Sequence, residues 1–565
     1  VAPDPRLLAL ANPRDPQANA AYRLHDASLY KRRYYLYFGP VPALVAFIPY
    51  SVVTRGDLPA NFAAAMFAIA GLIFSCLLLK KCVELLGASM GPALYAAGVL
   101  VLGLCQFAPY ILRRPSHYEV AGASGFAFYS AGLWLLISAM GGRAWRWAVP
   151  LAGVCLGLST GCRPNLVVAV SALWAIATTY LLARRNWRSV VMLTLPLGVC
   201  ATVLLWYNYA RFDDALEFGV THQLGVGNLQ VDMRASKIVP AFYYFFLAPV
   251  HRGREFPWWH VVYTPAFGDP DRLNRLSYYE RMAGLISVFP LYVLGMAPIV
   301  AFGAALKRGA AVLFAVAAIY VPTILVTAAV LATGFATMRY MLDFAPLLLV
   351  LAVIQAAWLI ARTRNRVWRI VLWLVFIVLA GRAAAINIAI SFAGPYGDME
   401  MGNPEGYRTL AGIFGSRLSE LSRITGLDVQ ARVTFPEKPE SEREALLSTG
   451  RSEAMDMLYV RYVSGDRVVL GWNSWGYAGQ ESAEIPVDRG REHALHLRYS
   501  EADRLLSVVI DGKPVLETRA ELHATRREYV VLGRNRIPEV IPRIGDFSGR
   551  LVVDVERILL GPVNY

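Results

Sequence analysis

The chain has 565 residues, 56% of them hydrophobic, with 55 Lys and Arg against 41 Asp and Glu. That composition describes a polytopic membrane protein rather than a large soluble core. The charge is unevenly placed: 33 basic and 15 acidic residues precede residue 397, and 22 basic and 26 acidic ones follow. The excess of positive charge therefore belongs to the membrane part, where cytoplasmic loops collect Lys and Arg, and no nucleic-acid partner is expected. All six cysteines lie in the apolar half, with no CxxC pair, which excludes a disulfide framework in the tail and leaves no Cys-based zinc spacing.

In chain order, the first 35 residues are polar and show no signal peptide. Residues 22–44, YRLHDASLYKRRYYLYFGPVPAL, gather acid, base and aromatic groups directly before hydrocarbon-spanning sequence, where charge is costly. Ten apolar segments follow that are long enough to cross: 59–79, 88–111, 118–139, 146–161, 164–183, 189–209, 283–304, 310–332, 341–360 and 370–393, the fourth being short. Five basic turns, at 80–81, 143–146, 184–188, 307–308 and 362–369, fall at alternate connections and hold 13 basic residues. Placing them in the cytoplasm satisfies the positive-inside rule throughout. The opposite face then carries Arg113-Arg114, Arg163-Pro164-Asn165, the loop 210–282 and Arg339. Residues 36–53 are apolar, but Pro40, Pro42 and Pro49 interrupt them, and a crossing there would upset the charge pattern. They are read as a helix lying at the outer interface. Residues 1–58 then form an extracytoplasmic first loop with that helix, residues 59–395 form the multi-span domain, and a helix is expected upstream of Val1.

Beyond the spans, Tyr407, Leu410, Ile413, Phe414, Leu418 and Leu421 are spaced for an amphipathic helix within a linker, 396–429. Residues 430–565 alternate in short runs such as MLYVRYV, RVVLGW, HALHLRY and LLSVVIDG, parted by turns. The expected fold class is a polytopic α-helical membrane protein followed by an all-β sandwich, the latter periplasmic and similar to concanavalin-like lectin or laminin-G modules. Trp472, Trp475 and Tyr477 offer a stacking surface or a core contribution.

Over residues 10–395 the layout resembles the GT-C class of polyprenyl-phosphate-dependent glycosyltransferases, such as protein O-mannosyltransferases and lipid A aminoarabinose transferases. The stretches carrying the likeness are DPQANAAYRLHDASLYKRRYYLYFGPVPAL, RRPSHYEVAGASGFAF, GLSTGCRPNL, WYNYARFDDALEFG and ATMRYMLDFAP. The resemblance implies a catalytic carboxylate in the first outer loop, an interfacial "jaw" helix behind it, and a bacterial inner-membrane location. Mannosyltransferases usually place an Asp-Glu pair in that loop; here His25-Asp26 stands alone, with Asp15 eleven residues earlier.

Sugar transfer from a polyprenyl phosphate needs a base for the acceptor hydroxyl and cations for the departing phosphate. Asp26 is the candidate base, with Asp15 in reserve. Lys31, Arg32, Arg33 and Arg339 are the candidate phosphate ligands, joined in substrate binding by Tyr35, Arg114, His117, Glu119 and Arg163. Several of these have plainer alternatives, that of Lys31, Arg32 and Arg33 being attraction to lipid headgroups. Asp343, one helical turn on, is the structural partner expected for Arg339. His117 and Glu119 also suit a helix cap, and Pro164 equally marks a helix break. No cofactor is assigned, although His117 and Glu119 at i, i+2 would suit two ligands of a divalent metal. The expected partners are a polyprenyl-phosphate-linked sugar, a glycan, lipid or protein acceptor, and membrane lipids. A transporter or flippase for lipid-linked sugars, or a membrane-anchored sugar-binding scaffold, are the rival functions.

Overall fold

The computed structural model describes residues 2–562 apart from 16–18, 20–21, 25–26, 87–90, 114–115, 142–145, 225–232, 254–255, 262–265, 269–275, 297–308, 395–398, 400–402, 415–421, 452–453, 464, 475–478, 524, 526 and 536–543. It divides into two compact units, residues 1–399 and 400–565.

After a single helical turn at Pro5–Leu8, the first unit forms a short hairpin, β1 (Ser28–Tyr30) and β2 (Arg33–Tyr35). A short apolar helix follows, α1 (Ala43–Thr54). The larger helices are α2 (Ala60–Leu85), α3 (Pro92–Ile111), α4 (His117–Met140), α5 (Ala148–Cys162), α6 (Leu166–Ala183), α7 (Trp187–Phe212), α8 (Ala235–Leu247), α9 (Ala310–Thr333), α10 (Ala345–Arg362) and α11 (Arg366–Ala393). All of these except α5 and α8, eight in number among the described residues, are long and apolar enough to cross a membrane. In α4 and α10, 83% and 78% of the apolar 18-residue stretch is buried, against 11% and 22% in α7 and α11. The inner pair therefore packs on all sides. The outer pair presents Leu195, Val199, Trp206, Trp368 and Val378 outward, a surface suited to lipid rather than water.

Two expected crossings come out differently. The short segment 146–161 is the 15-residue helix α5. Segment 283–304 appears as two short helical pieces, Leu285–Val288 and Tyr292–Met296, its remainder lying outside the described residues. The break falls at Phe289 (φ −136°, ψ 93°), because the residue before Pro290 is driven out of helical conformation. Helix α1, 12 residues and about 18 Å long at 1.5 Å per residue, is too short to span. Its exposed Leu44, Val45, Ile48, Val52 and Val53 match a helix lying along an interface.

Four two- and three-residue strands decorate the loops of this unit: β3 (Val250–Arg252) pairs antiparallel with β4 (Trp259–Val261), and β5 (Tyr278–Tyr279) pairs parallel with β6 (Phe335–Ala336).

The second unit opens with α12 (Pro404–Ile413), capped by Asn403, whose Oδ1 accepts from Gly406 N at 3.0 Å. Tyr407 and Ala411 are buried while Ile413 and Phe414 are exposed. The helix ends earlier than the spacing predicts, and Leu418 and Leu421 lie outside the described residues. The β domain correspondingly starts at Ser422, not 430, because Leu427, Val429, Ala431 and Val433 bury alternate positions of a strand. One sheet has the order β15 (Lys513–Arg519), β14 (Leu505–Ile510), β13 (His493–Ser500), β7 (Ser422–Thr434), β18 (Arg550–Pro562). The other runs β11 (Gln480–Glu481), β10 (Arg467–Ser474), β9 (Ala454–Val463), β8 (Arg443–Arg451), β16 (Val531–Leu532), with β12 (Ile485–Pro486) on β10 and β17 (Gly545–Asp546) on β8. Val429, Val433, Leu497 and Val508 from the first sheet share one core with Leu446, Val460, Leu470 and Trp472 from the second, the packing expected of a sandwich. Trp472 is thus a core residue and not a stacking surface; Trp475 and Tyr477 lie outside the described residues.

Candidate functional site

The hairpin β1–β2 turns through Lys31 and Arg32, both left-handed (φ 44° and 61°), as a two-residue turn matched to strand twist requires. Lys31 forms an ion pair with Asp213, which also accepts from Tyr30 Oη at 2.8 Å. These contacts hold the Asp213 carboxyl below its ordinary pKa, Lys31 first and Tyr30 second. Arg32 and Arg33 point into solvent. The three phosphate cations predicted on the hairpin are thus all exposed, and one of them is committed to a carboxylate. Tyr35 packs edge-on against Phe212, with ring centroids 5.4 Å apart.

Asp26 and His25 lie outside the described residues, but the chain on either side is fixed. Ser28 Oγ donates to Gly219 O (2.7 Å), Leu224 N to Ala27 O (3.1 Å), and Asn19 Nδ2 to Leu224 O (3.1 Å). Arg14 Nη2 lies 2.8 Å from His222 Nδ1, and the His222 ring packs on Tyr30 and Phe212. Asp15 is half-buried in a turn, its amide donating to Asn12 O at 3.1 Å and its carbonyl accepting from Asn19 N at 3.0 Å. The first loop is thus clamped onto residues 213–224.

Residues 36–39, between the hairpin and α1, are fixed at three points. Leu36 O accepts from Arg211 Nη1 at 2.7 Å. Phe38 packs on His117 and Tyr118 at 4.8 and 5.1 Å. Gly39 abuts Gly161 so closely that a Cβ would stand 1.9 Å from Gly161 O. Arg211 is buried, with its second nitrogen on Asn208 Oδ1 (2.9 Å) and its plane 4.0 Å from the Tyr207 ring centroid.

Behind this segment the helix ends bring two arginine–carboxylate pairs together. Arg163, at the end of α5, donates Nε to Asp343 Oδ1 (3.1 Å) and Nη2 to Oδ2 (2.8 Å), with Asn165 Nδ2 adding a contact at 3.3 Å. Its guanidinium lies over Tyr340, and a Cβ at Gly125 would meet its stem at 2.7 Å. Arg339 instead faces Glu280 at 3.4 Å and lies over Tyr118. The expectation that Asp343 would serve Arg339 is corrected by local geometry. Residues Met338–Asp343 form a 3₁₀ turn, in which positions i and i+4 point roughly 120° apart instead of stacking. Burial alone pulls the Arg339 pKa down, but Glu280, then Tyr340 and Glu119, reverse that and leave it raised.

Glu119 does not reach outward. It forms a capping box with Ser116, accepting from the Ser116 amide at 3.1 Å and from its hydroxyl, so the plainer reading holds for this residue. His117 is exposed and packs edge-on against Phe38. Arg114 lies outside the described residues. Among the described residues no three His, Cys, Asp or Glu side chains converge as metal ligands would.

The structure adds Glu280 and Asp213 to the residues singled out from sequence. The usable signal for Glu280 is an acid one residue ahead of an apolar run, held here by β5–β6: Glu280 N donates to Ala336 O at 2.9 Å, and buried Lys237 braces Ser277 at 2.8 Å. In the second unit, an open cleft of about 520 Å³ is lined by Phe435, Glu437, Arg489, Gly490, Ser548 and Arg550.

No protein-family model and no curated protein matches this chain. A solved structure of a provisionally assigned carbohydrate binding protein from Bacteroides ovatus ATCC 8483 matches 26% of this chain and 41% of its own at 10% identity, with a TM-score of 0.20. The chain thus spans about two fifths of that protein's length, and a likeness of that depth carries no argument.

Proposed function

We propose that this is a multi-pass membrane glycosyltransferase that takes a sugar from a polyprenyl-phosphate carrier and transfers it to an extracytoplasmic acceptor, with inversion. The observation that carries the proposal is the mouth at residues 36–39, 117–119, 163–165, 280 and 338–343. There a charged first loop, a short exposed apolar helix and two half-buried to buried arginines meet at the ends of apolar helices. Charge is costly in such a place, and a phosphate leaving group is the chemistry that uses it.

In the proposed step the acceptor oxygen attacks the anomeric carbon as the bond from that carbon to the phosphate oxygen breaks. The phosphate departs with the electron pair, and the acceptor proton passes to Asp26. A single displacement through an oxocarbenium-like state inverts the anomeric centre. Arg339 is the favoured phosphate cation. Arg163 holds the corner on which Arg339 stands. The bacterial inner membrane is the proposed location, with the sandwich outside the cell interior, where it would present the acceptor.

The test is turnover by the purified full chain with a panel of polyprenyl-phosphate sugars, following release of free polyprenyl phosphate. Release that is lost in Asp26→Asn and kept in Asp15→Asn supports the reading. No release with any donor removes it, and loss in Asp15→Asn alone moves the base to that residue.

A further inference from the structure

We infer that Glu280 is the resident counter-ion of Arg339 and that the phosphate of a prenyl-borne ligand displaces it, so that the mouth works by ion-pair exchange. The inference rests on the functional reading above for the identity of its ligand, not for its geometry.

Two guanidinium groups stand at this mouth, and they are held differently. Arg163 is closed: its fork is matched by both oxygens of Asp343 at 3.1 and 2.8 Å. The two side chains keep only 10% and 2% of their surface exposed. Nothing can enter without breaking a bidentate pair, the strong form of this contact. Arg339 is open: among the described residues it has one ion contact, Nη2 to Glu280 at 3.4 Å, at the far edge of hydrogen-bond reach. Arg339 and Glu280 retain 22% and 12% exposure. Five N–H donors in a planar fork fit two oxygens of one anion, and Glu280 supplies a single distant one. Tyr118 lies under the guanidinium, 4.5 Å from its centre, and leaves the fork edge for an anion.

Glu280 also has somewhere to go. Its main chain is fixed, since Glu280 N bonds Ala336 O at 2.9 Å beside the paired strands β5 and β6. Its carboxylate already stands 3.4 Å from Tyr278 Oη. Rotation toward Tyr278 frees the fork without moving the backbone. With no ligand, Glu280 spares Arg339 an uncompensated half-buried charge. A phosphate group replaces that charge and adds the second oxygen. In glycosyl transfer the leaving phosphate gains negative charge, so the exchange favours the state formed as the bond breaks.

The experiment uses the full chain in lipid nanodiscs, with farnesyl phosphate as probe and farnesol and inorganic phosphate as controls. Wild type is expected to bind farnesyl phosphate more tightly than farnesol, and Arg339→Gln to lose roughly tenfold or more of that difference, the size of a lost charge-assisted contact. Glu280→Gln is expected to tighten binding by a few-fold, where a merely structural role would weaken it. Tyr278→Phe removes the alternative seat and should weaken binding in wild type but not in Glu280→Gln, a coupling read from the double-mutant cycle. Unchanged or weaker binding in a folded Glu280→Gln overturns the inference. Should that variant not fold, Tyr278→Phe decides: weaker binding supports the exchange and unchanged binding overturns it. Equal binding of inorganic phosphate at the same sites keeps the exchange and removes the prenyl chain from it. Exchange without sugar transfer from any donor would leave this inference standing and end the enzymatic reading; transfer without exchange would do the reverse.

Discussion

The hairpin at residues 28–35 and the mouth around Arg163 and Arg339 both carry cations, yet they hold them in opposite ways. Lys31, Arg32 and Arg33 are consecutive, exposed and, among the described residues, answered by a single exposed carboxylate, Asp213. Arg163 and Arg339 are far apart in sequence and come together through packed helix ends, each facing its own acid. In water a charge costs little to keep and contributes little. In a dehydrated mouth it must be matched, and matching fixes the geometry around it. The dense basic run is therefore a poor guide to where electrostatic stabilisation is concentrated, and the isolated arginines are a good one.

The sharpest way to break this contrast is to orphan the buried guanidinium. Asp343→Ala leaves Arg163 unpaired and is expected to destabilise the membrane unit by about 3–5 kcal/mol, read as a large fall in Tm in detergent. The double change Arg163→Met with Asp343→Leu should recover most of that loss, because apolar side chains of similar volume replace a buried pair without desolvating charge. A small loss in the single variant would mean that the mouth is wetter than its 2% exposed carboxylate indicates. Next in size is Gly39→Ala. A Cβ there meets a main-chain oxygen at 1.9 Å, which no rotamer relieves, and overpacking of this kind costs about 1–3 kcal/mol. Faster proteolysis at residues 36–55, without loss of the remaining helices, is the expected signature.

Sequence reading went furthest where local composition decides the outcome. Long apolar runs declare their own helices, and eight of the ten expected crossings have long apolar helices in their place. The alternate burial of His493–Ser500 and its neighbours is equally local. The grouping of residues 113–119, 163–165 and 339 on one face came from counting charged loops, and the structure brings described members of all three groups together at one mouth. Partner identity was not legible. Arg163 and Asp343 are 180 positions apart, and only tertiary packing pairs them. The Arg339–Asp343 spacing misled because it presumed an α-helical turn where the chain forms a tighter one. At 404–424 an amphipathic spacing ran on into a strand whose alternation begins within it. The 283–304 segment read as apolar and long, but Pro290 sets its break.

The clamp on the first loop offers a graded test of the same contrast. His222 Nδ1 faces an arginine, Arg14, so the contact requires the neutral ring. Burial first and Arg14 second lower the His222 pKa, with Glu217 opposing; Tyr30, Lys31 and Asp213 stand on the neighbouring elements. A histidine whose docked pKa is lowered takes up protons more readily when undocked. Docking is therefore at full strength above about pH 6.5, weakens as pH falls through that value, and levels off once the pH is below the docked pKa. Corrected for the intrinsic pH dependence of amide exchange, protection at residues 219–224 should fall on acidification in wild type and stay level over the same range in His222→Gln.

The smallest expected effect belongs to the exposed pair itself. Lys31→Ala removes the ion contact to Asp213 but leaves Tyr30 Oη on the same carboxylate at 2.8 Å, and the hairpin keeps its packing of Tyr35 on Phe212. Both charged partners stay in water, where a lone pair is screened and entropically offset. No measurable change in Tm is expected, and transfer activity, if the proposed reaction is found, should fall by less than in Arg339→Gln. The opposite ranking would return the phosphate to the hairpin and leave Arg339 as a strut: exposure would then have been the wrong criterion for choosing between the two sets of cations.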